Sequence, residues 1–295
     1  MPQSFKDNQG SPQQEKNFAS TGVLLGDKEF LQLRELVYKH FGINLTEQKR
    51  SLVIGRLQPL LRARGFTSFQ QYYDFLVKEK SHSSLTELIN RISTNYSFFY
   101  REKAHFEFFV RTALPEAVAR LQQKSSNDIR IWCAGCSTGE EPYMLVMLML
   151  DHFGLNYRNW DAGILATDIS EQVLNFAKLG IYPPGRVEEM PVNLKKKFMS
   201  SLPNGDVSVA EQVKRDVTFR RFNLMNTQFP FKKKFHMIFC RNVMIYFDKE
   251  TRDALVRRFH QFLEPGGYLF IGHSESLGRE QQLYKYVMPA TYQSI

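Results

Sequence analysis

Cysteine is scarce in this chain: 295 residues carry three, Cys133, Cys136 and Cys240. A disulfide framework is therefore excluded as the basis of the fold. Cys133 and Cys136 form a lone Cys-x-x-Cys, and a zinc site needs two further ligands that one distant cysteine does not supply. No metal is expected on that ground. No apolar run resembles a membrane span or the core of a signal peptide, and the N-terminal "MPQSFKDNQGSPQQEKNFAS" is polar. A soluble protein of a reducing cytoplasm, without membrane insertion, is expected. Also missing are the Gly-x-Gly-x-x-Gly of dinucleotide sites and the Gly-Lys-Ser/Thr of a P-loop, which argues against both ligand classes.

What the chain does have is apolar mass and positive charge. At 43% hydrophobic and 14% aromatic residues it can build one large core or two modest ones. Its 39 Lys and Arg exceed its 30 Asp and Glu, leaving a formal charge of +9. Such a balance favours nucleic acid, an anionic membrane or an acidic protein as partner, and charge alone does not choose.

Residues 1–26 are rich in Gln, Ser, Asn, Lys and Gly and read as a flexible tail. Residues 27–92 read as a small all-helical domain: Phe30, Leu33, Val37 and Phe41 recur at helical spacing, as do Val53, Leu57, Leu60 and Leu61. Two capping boxes, Ser68-x-x-Gln71 and Ser84-x-x-Glu87, introduce the next two helices. A linker over 93–104 leads into a longer domain, 105–295, where apolar runs at 129–135, 162–168, 235–242 and 267–272 alternate with amphipathic helices. This is an α/β pattern, a doubly wound and mostly parallel sheet. At about 199–222 the alternation breaks: two β-rich runs follow a Pro-Asn-Gly-Asp turn with no helix between them, which predicts an inserted antiparallel β-subdomain.

In such a sheet, ligands sit beyond the carboxyl ends of the strands. The stretch "WCAGCSTGEEPY" (132–143) lies at one such end. Gly135 and Gly139 leave space for a ligand against the backbone, and the helix after Pro142 presents free amides. The bland alternative is an ordinary tight turn. Glu140 and Glu141 repel a pyrophosphate and suit a ligand that is cationic or donates hydroxyls. Asp168, ending the next strand in "ATDIS", is placed to accept both hydroxyls of a ribose. Its competing reading is a helix cap, although Ser170 is better placed for that. A ribose, an adenine, an ammonium and a sulfonium with no phosphate describe S-adenosylmethionine, so methyl transfer is the expected chemistry.

"TNYSFFYRE" (94–102), "WCAGCSTGEEPY", "ATDISEQVL" and above all "FHMIFCRNVMIYFDKETRDALVRRFHQFLEPGGYLFIGHSESL" (235–277) resemble the chemotaxis receptor methyltransferases of the CheR family, from about residue 28 to the C-terminus. The resemblance implies a Rossmann-like class I methyltransferase domain with an inserted β-subdomain, preceded by the helical domain. It further implies methylation of glutamate side chains on the cytoplasmic helices of methyl-accepting chemotaxis receptors or receptor-like proteins. The products are glutamate methyl esters and S-adenosylhomocysteine, and a monomer is expected. Its cofactor contacts carry over to Asn95, Ser97, Arg101, Glu141, Asp168, Asn223, Leu224, Arg241 and Asn242, beside Gly135 of the turn. Ser97 replaces a usual Thr and Tyr100 a usual Phe, so affinity is tuned rather than lost.

Methyl transfer to a carboxylate is an in-line displacement, and a glutamate of pKa near 4.3 is already ionised at neutral pH. No general base is required, and alignment is the enzyme's task. Arg101 and Tyr246 are the candidates for holding the acceptor, against a structural salt bridge and a core aromatic as their bland readings. The stretch "KRSLVIGRLQPLLRAR" offers Lys49, Arg50, Arg56, Arg62 and Arg64 with no acid among them, a docking surface for an acidic helix or simply a solvated face. Two other functions are weighed. A nucleic-acid methyltransferase suits the charge, yet no Asn/Asp-Pro-Pro-Tyr/Phe motif occurs and "YPPG" at 182–185 follows a helix. A non-catalytic cofactor-binding adaptor is opposed by the intact Arg101, Asp168, Arg241 and Tyr246.

Overall fold

A computed structural model describes residues 23–79, 83–93, 96–277 and 282–295. Most of the expected tail, and Asn95, lie outside the described residues. The tail is shorter than expected at its C-terminal end, because Leu25 is buried in the core of the helical unit, with Val23 packed on it.

Among the described residues, four α-helices build that unit: α1 (Asp27–Phe41), α2 (Arg50–Ala63), α3 (Phe69–Lys78) and α4 (Ser83–Ile92). Their buried stripes, among them Phe30, Leu33, Val37, Leu57, Leu61, Tyr72 and Leu88, share one core. Burial of these faces, not propensity, is what holds helices this short. Ser68 caps α3 by accepting the Gln71 amide at 3.2 Å, while the Gln71 side chain turns to Thr67 instead of completing the box. The second box does not form. Ser84 lies inside α4 and its amide donates to the Glu79 carboxylate at 2.8 Å, since a charged acceptor binds helix N-terminal amides more strongly than a hydroxyl.

The second unit runs α5 (Lys103–Phe108), α6 (Leu114–Gln123), β1 (Asp128–Ala134), α7 (Glu140–Phe153), β2 (Asp161–Asp168), α8 (Glu171–Leu179), β3 (Ile181–Tyr182) and α9 (Val192–Phe198). It continues with β4 (Met199–Ser201), β5 (Val207–Val209), α10 (Glu211–Lys214), β6 (Val217–Arg221) and β7 (Phe235–Cys240), then α11 (Lys249–Phe262), β8 (Leu263–Ile271), β9 (Tyr284–Met288) and β10 (Thr291–Ser294). Seven strands form one sheet in the order β6-β2-β1-β7-β8-β10-β9, parallel from β6 to β8 and antiparallel where β10 meets its neighbours. Both faces are covered. Along β1, Ile131 and Cys133 enter one core while Trp132 and Ala134 enter the other, the period-two alternation of a strand.

The expected β-subdomain is corrected in extent. A small antiparallel sheet, β3-β5-β4, does exist, but it begins at Ile181 and ends at Val209. Val217–Arg221, read as its second run, is instead the parallel edge strand beside β2, reached through the one-turn α10. The Pro-Asn-Gly-Asp turn joins β4 to β5.

Candidate functional site

Chain order in the large sheet reverses between β1 and β7, and a crevice opens there at the carboxyl ends. The crevice is roofed by Phe41, Ile43 and Ile89 of the helical unit. The linker contributes Tyr96, Ser97, Phe98 and Arg101; the turn after β1 contributes Gly135, Cys136, Ser137 and Glu141. Asp168 and Ile169 follow β2, Phe222, Asn223 and Leu224 follow β6, and Arg241, Asn242, Val243, Tyr246 and Phe247 follow β7. One cavity thus gathers every cofactor and acceptor residue expected from sequence, apart from Asn95.

The roof is tied down at the cavity itself. Ile43 bridges to Phe247, the Asn44 amide donates to the Tyr246 carbonyl at 2.8 Å, and Asn223 Nδ2 donates to the His40 carbonyl at 2.7 Å. Asn223 Oδ1 also accepts the Met225 amide, so its side chain serves the domain junction, with Leu224 beside it as apolar wall.

The turn after β1 requires its glycines. Gly135 has φ +90°, and a Cβ there lies 2.4 Å from Val243 Cγ2. Gly139 has φ +92°, and its Cβ meets Ala177 at 2.8 Å. Both backbone sign and space exclude a larger residue.

Asp168 accepts the Ser137 amide through Oδ2 at 3.0 Å and the Ser170 amide through Oδ1 at 2.9 Å. Ser170 is the cap of α8, as expected, so the competing reading of Asp168 as that cap does not hold. Burial pushes the Asp168 carboxyl up, opposed by these backbone donors. The Ile169 amide is a further backbone donor to this carboxylate, which lines the cavity. Glu141 is paired rather than open: Arg241 Nη1 reaches its Oε2 at 2.8 Å. Glu140 is corrected, because it is fully buried and turned away from the cavity, accepting from Thr138 Oγ1 and pairing with Arg186 at 3.0 Å.

Arg241 is the hub of the wall. It donates to Glu102 at 3.1 Å, to Glu141, and to the main-chain carbonyl of Arg101. Burial opposes ionisation of Glu102, but the Arg241 charge and the hydrogen bonds from the His273 amide and Arg241 outweigh it and hold the carboxyl below the ordinary glutamate value. Asn242, at φ +59°, donates its amide to Glu275 and its Nδ2 to Glu102. Arg101 differs from Arg241. It makes no ion pair among the described residues; its partners are the Tyr96 carbonyl at 3.3 Å and the Phe98 ring. Tyr100 and Glu102 on either side both have positive φ, a strained turn that delivers the guanidinium into the cavity.

Four contributors escape sequence reasoning. Glu102, Glu275, Arg186 and Ser137 act through hydrogen bonds to backbone or to other side chains, for which spacing carries no signal. The basic stretch is also less bare than its sequence. Arg50 pairs with Asp27 and Glu47, Arg64 with Glu87, and Arg56 donates to the carbonyls ending α4. Arg62 is exposed, and Lys49 lies 5.5 Å over the Tyr246 ring, at the cavity.

Comparison with known proteins places this geometry. Residues 28–93 match the family model described as "CheR methyltransferase, all-alpha domain", and residues 95–293 match "CheR methyltransferase, SAM binding domain". The chain is 45% identical over 277 residues to the chemotaxis protein methyltransferase of Borreliella burgdorferi, covering 94% of this chain and 98% of that one. It is 37% identical to chemotaxis protein methyltransferase 2 of Pseudomonas aeruginosa, covering 90% and 92%. With its counterpart in Escherichia coli it shares 35% identity, covering 89% of each. These matches, over a crevice at the strand ends, make the chain a member of the CheR family, an S-adenosylmethionine-dependent methyltransferase of chemotaxis.

Proposed function

We propose that the chain methylates glutamate side-chain carboxylates on the cytoplasmic helices of chemoreceptors, forming glutamate methyl esters. The observation that carries this reading is Arg101, a guanidinium in the cavity wall without an ion pair among the described residues, beside a second arginine already neutralised by two glutamates. An anionic acceptor is the group such a charge attracts.

S-adenosylmethionine, when bound, supplies an activated methyl group. Asp168, Glu141 and the apolar wall of Ile169, Phe222 and Leu224 suit its ribose, its ammonium and its adenine. The chain's own work is positional. The acceptor carboxylate is ionised at neutral pH, so no side chain has to remove a proton. Arg101 holds it through hydrogen bonds, Tyr246 fixes its angle, and the hydrophobic roof excludes water. Too tight a grip stabilises the ground state, so these groups orient more than they neutralise. Lys49 over Tyr246 links this mouth to α2, along which Arg62 remains to meet an acidic helix.

Radiolabelled methyl from S-adenosylmethionine should pass to a receptor cytoplasmic fragment and leave as methanol under mild base. Label that resists base would assign a different acceptor chemistry.

A further inference from the structure

On the far side of Arg241 from the cofactor glutamate, three side chains with metal-ligating atoms converge: Glu102, His105 and His273. One donor atom from each lies within 4.8 Å of the other two. His105 is fully buried, and its Nε2 lies 3.4 Å from the Pro289 carbonyl, a contact that calls for a proton on Nε2. Its Nδ1 is then a bare lone pair, and it faces Glu102 Oε2 at 3.5 Å with no hydrogen-bond partner among the described residues. Two acceptors aimed at each other in a buried place repel, and leaving such an atom unsatisfied costs about 1–3 kcal/mol.

A metal ion on His105 Nδ1 and the Glu102 carboxylate relieves it. The His273 ring packs edge-on against His105 with centroids 4.9 Å apart, and it is exposed, so the third ligand is also the entry route. Two imidazoles and one carboxylate, with a position left for water, match zinc and its borderline-soft neighbours, whereas magnesium and calcium ask for oxygen.

We propose that Glu102, His105 and His273 form a binding site for a divalent transition metal of zinc type, and that filling it antagonises the cofactor. Glu102 accepts from Arg241 and from Asn242, both in the cavity wall. A ligated carboxylate gives up part of that hold, and a dication behind Arg241 drives the guanidinium away from its place beside Glu141. The same repulsion limits affinity, which suits a site that senses metal rather than one that keeps it. This site uses none of the cysteines on which the expectation of no metal rests.

The test is calorimetric titration of Zn²⁺ into the tag-free full chain and into H273A, together with the Kd for S-adenosylhomocysteine measured with and without Zn²⁺. The wild type is expected to take up one equivalent, H273A to bind at least about tenfold more weakly, and Zn²⁺ to raise the S-adenosylhomocysteine Kd of the wild type only. His273 is exposed, so its removal spares the core. Three results overturn the proposal: no saturable uptake, uptake equal in H273A (metal on the thiols or the surface), or a Kd indifferent to Zn²⁺ in the wild type.

Discussion

The guanidinium of Arg241 donates from Nη2 to the main-chain carbonyl of Arg101. One arginine, neutralised by Glu102 and Glu141, thereby sets the backbone that aims another, which has no ion pair among the described residues. The first predicted contrast follows. Arg101→Ala should lose at least about 100-fold in kcat, the scale of misplacing a reactant by an ångström. Tyr246→Phe removes one hydrogen bond to the acceptor and should cost about tenfold. Steady-state kinetics on a receptor fragment measures both, and unchanged turnover in Arg101→Ala rejects its role.

Gly135→Ala should cripple cofactor binding. The substitution adds about 1–3 kcal/mol of backbone strain at φ +90° and drives a methyl into Val243. Titration of S-adenosylhomocysteine should show at least about a tenfold higher Kd, and a normal Kd would mean that the turn yields.

His236 gives the acid side of the stability profile a testable slope. Burial first, then the charge of Arg130, lowers its pKa from 6.5 to about 4, and its Nδ1 accepts the Arg130 amide at 3.1 Å. As pH falls through 6.5 the unfolded chain binds a proton that the folded chain refuses until about 4. The stability contribution is therefore full above 6.5 and lost progressively below it, by up to about 3 kcal/mol. His236→Asn keeps an acceptor without the titration. Urea unfolding at pH 7.5 and pH 5 should show the wild type losing more stability than the variant; parallel losses would remove His236 as a cause.

How far the sequence speaks is visible in the same residues. That Asp168 and Gly135 line the cavity is legible because strand ends in a doubly wound sheet border its crevice, and both close apolar runs. The extent of the small sheet was not, because Val217–Arg221 alternates buried and exposed residues as any edge strand does, whichever sheet it joins. Nor was the Glu140–Arg186 pair, whose partners meet only after the chain has folded. The five basic residues showed the limit of composition. No acid stands among them in sequence, yet Asp27, Glu47 and Glu87 reach two of them in space.

That outcome narrows the docking test to one residue. Arg64 is paired with Glu87, so reversing it disturbs the helical unit as well as any partner. Arg62→Glu should instead raise the KM for a receptor fragment several-fold at low salt, with the effect shrinking as salt rises, and leave the S-adenosylhomocysteine Kd alone. Equal KM values at low salt would show that α2 does not meet the acceptor helix through this residue.

The claim on which the account turns is the acceptor. A receptor cytoplasmic fragment incubated with the chain and S-adenosylmethionine, then sequenced by tandem mass spectrometry, locates the added methyl directly. The expected result is the mass of one methyl group on glutamate side chains of the cytoplasmic helices, lost under mild base and sharply reduced with Arg101→Ala. Methyl groups on lysine, on a terminus or on nucleic acid, with glutamates unmodified, would contradict it.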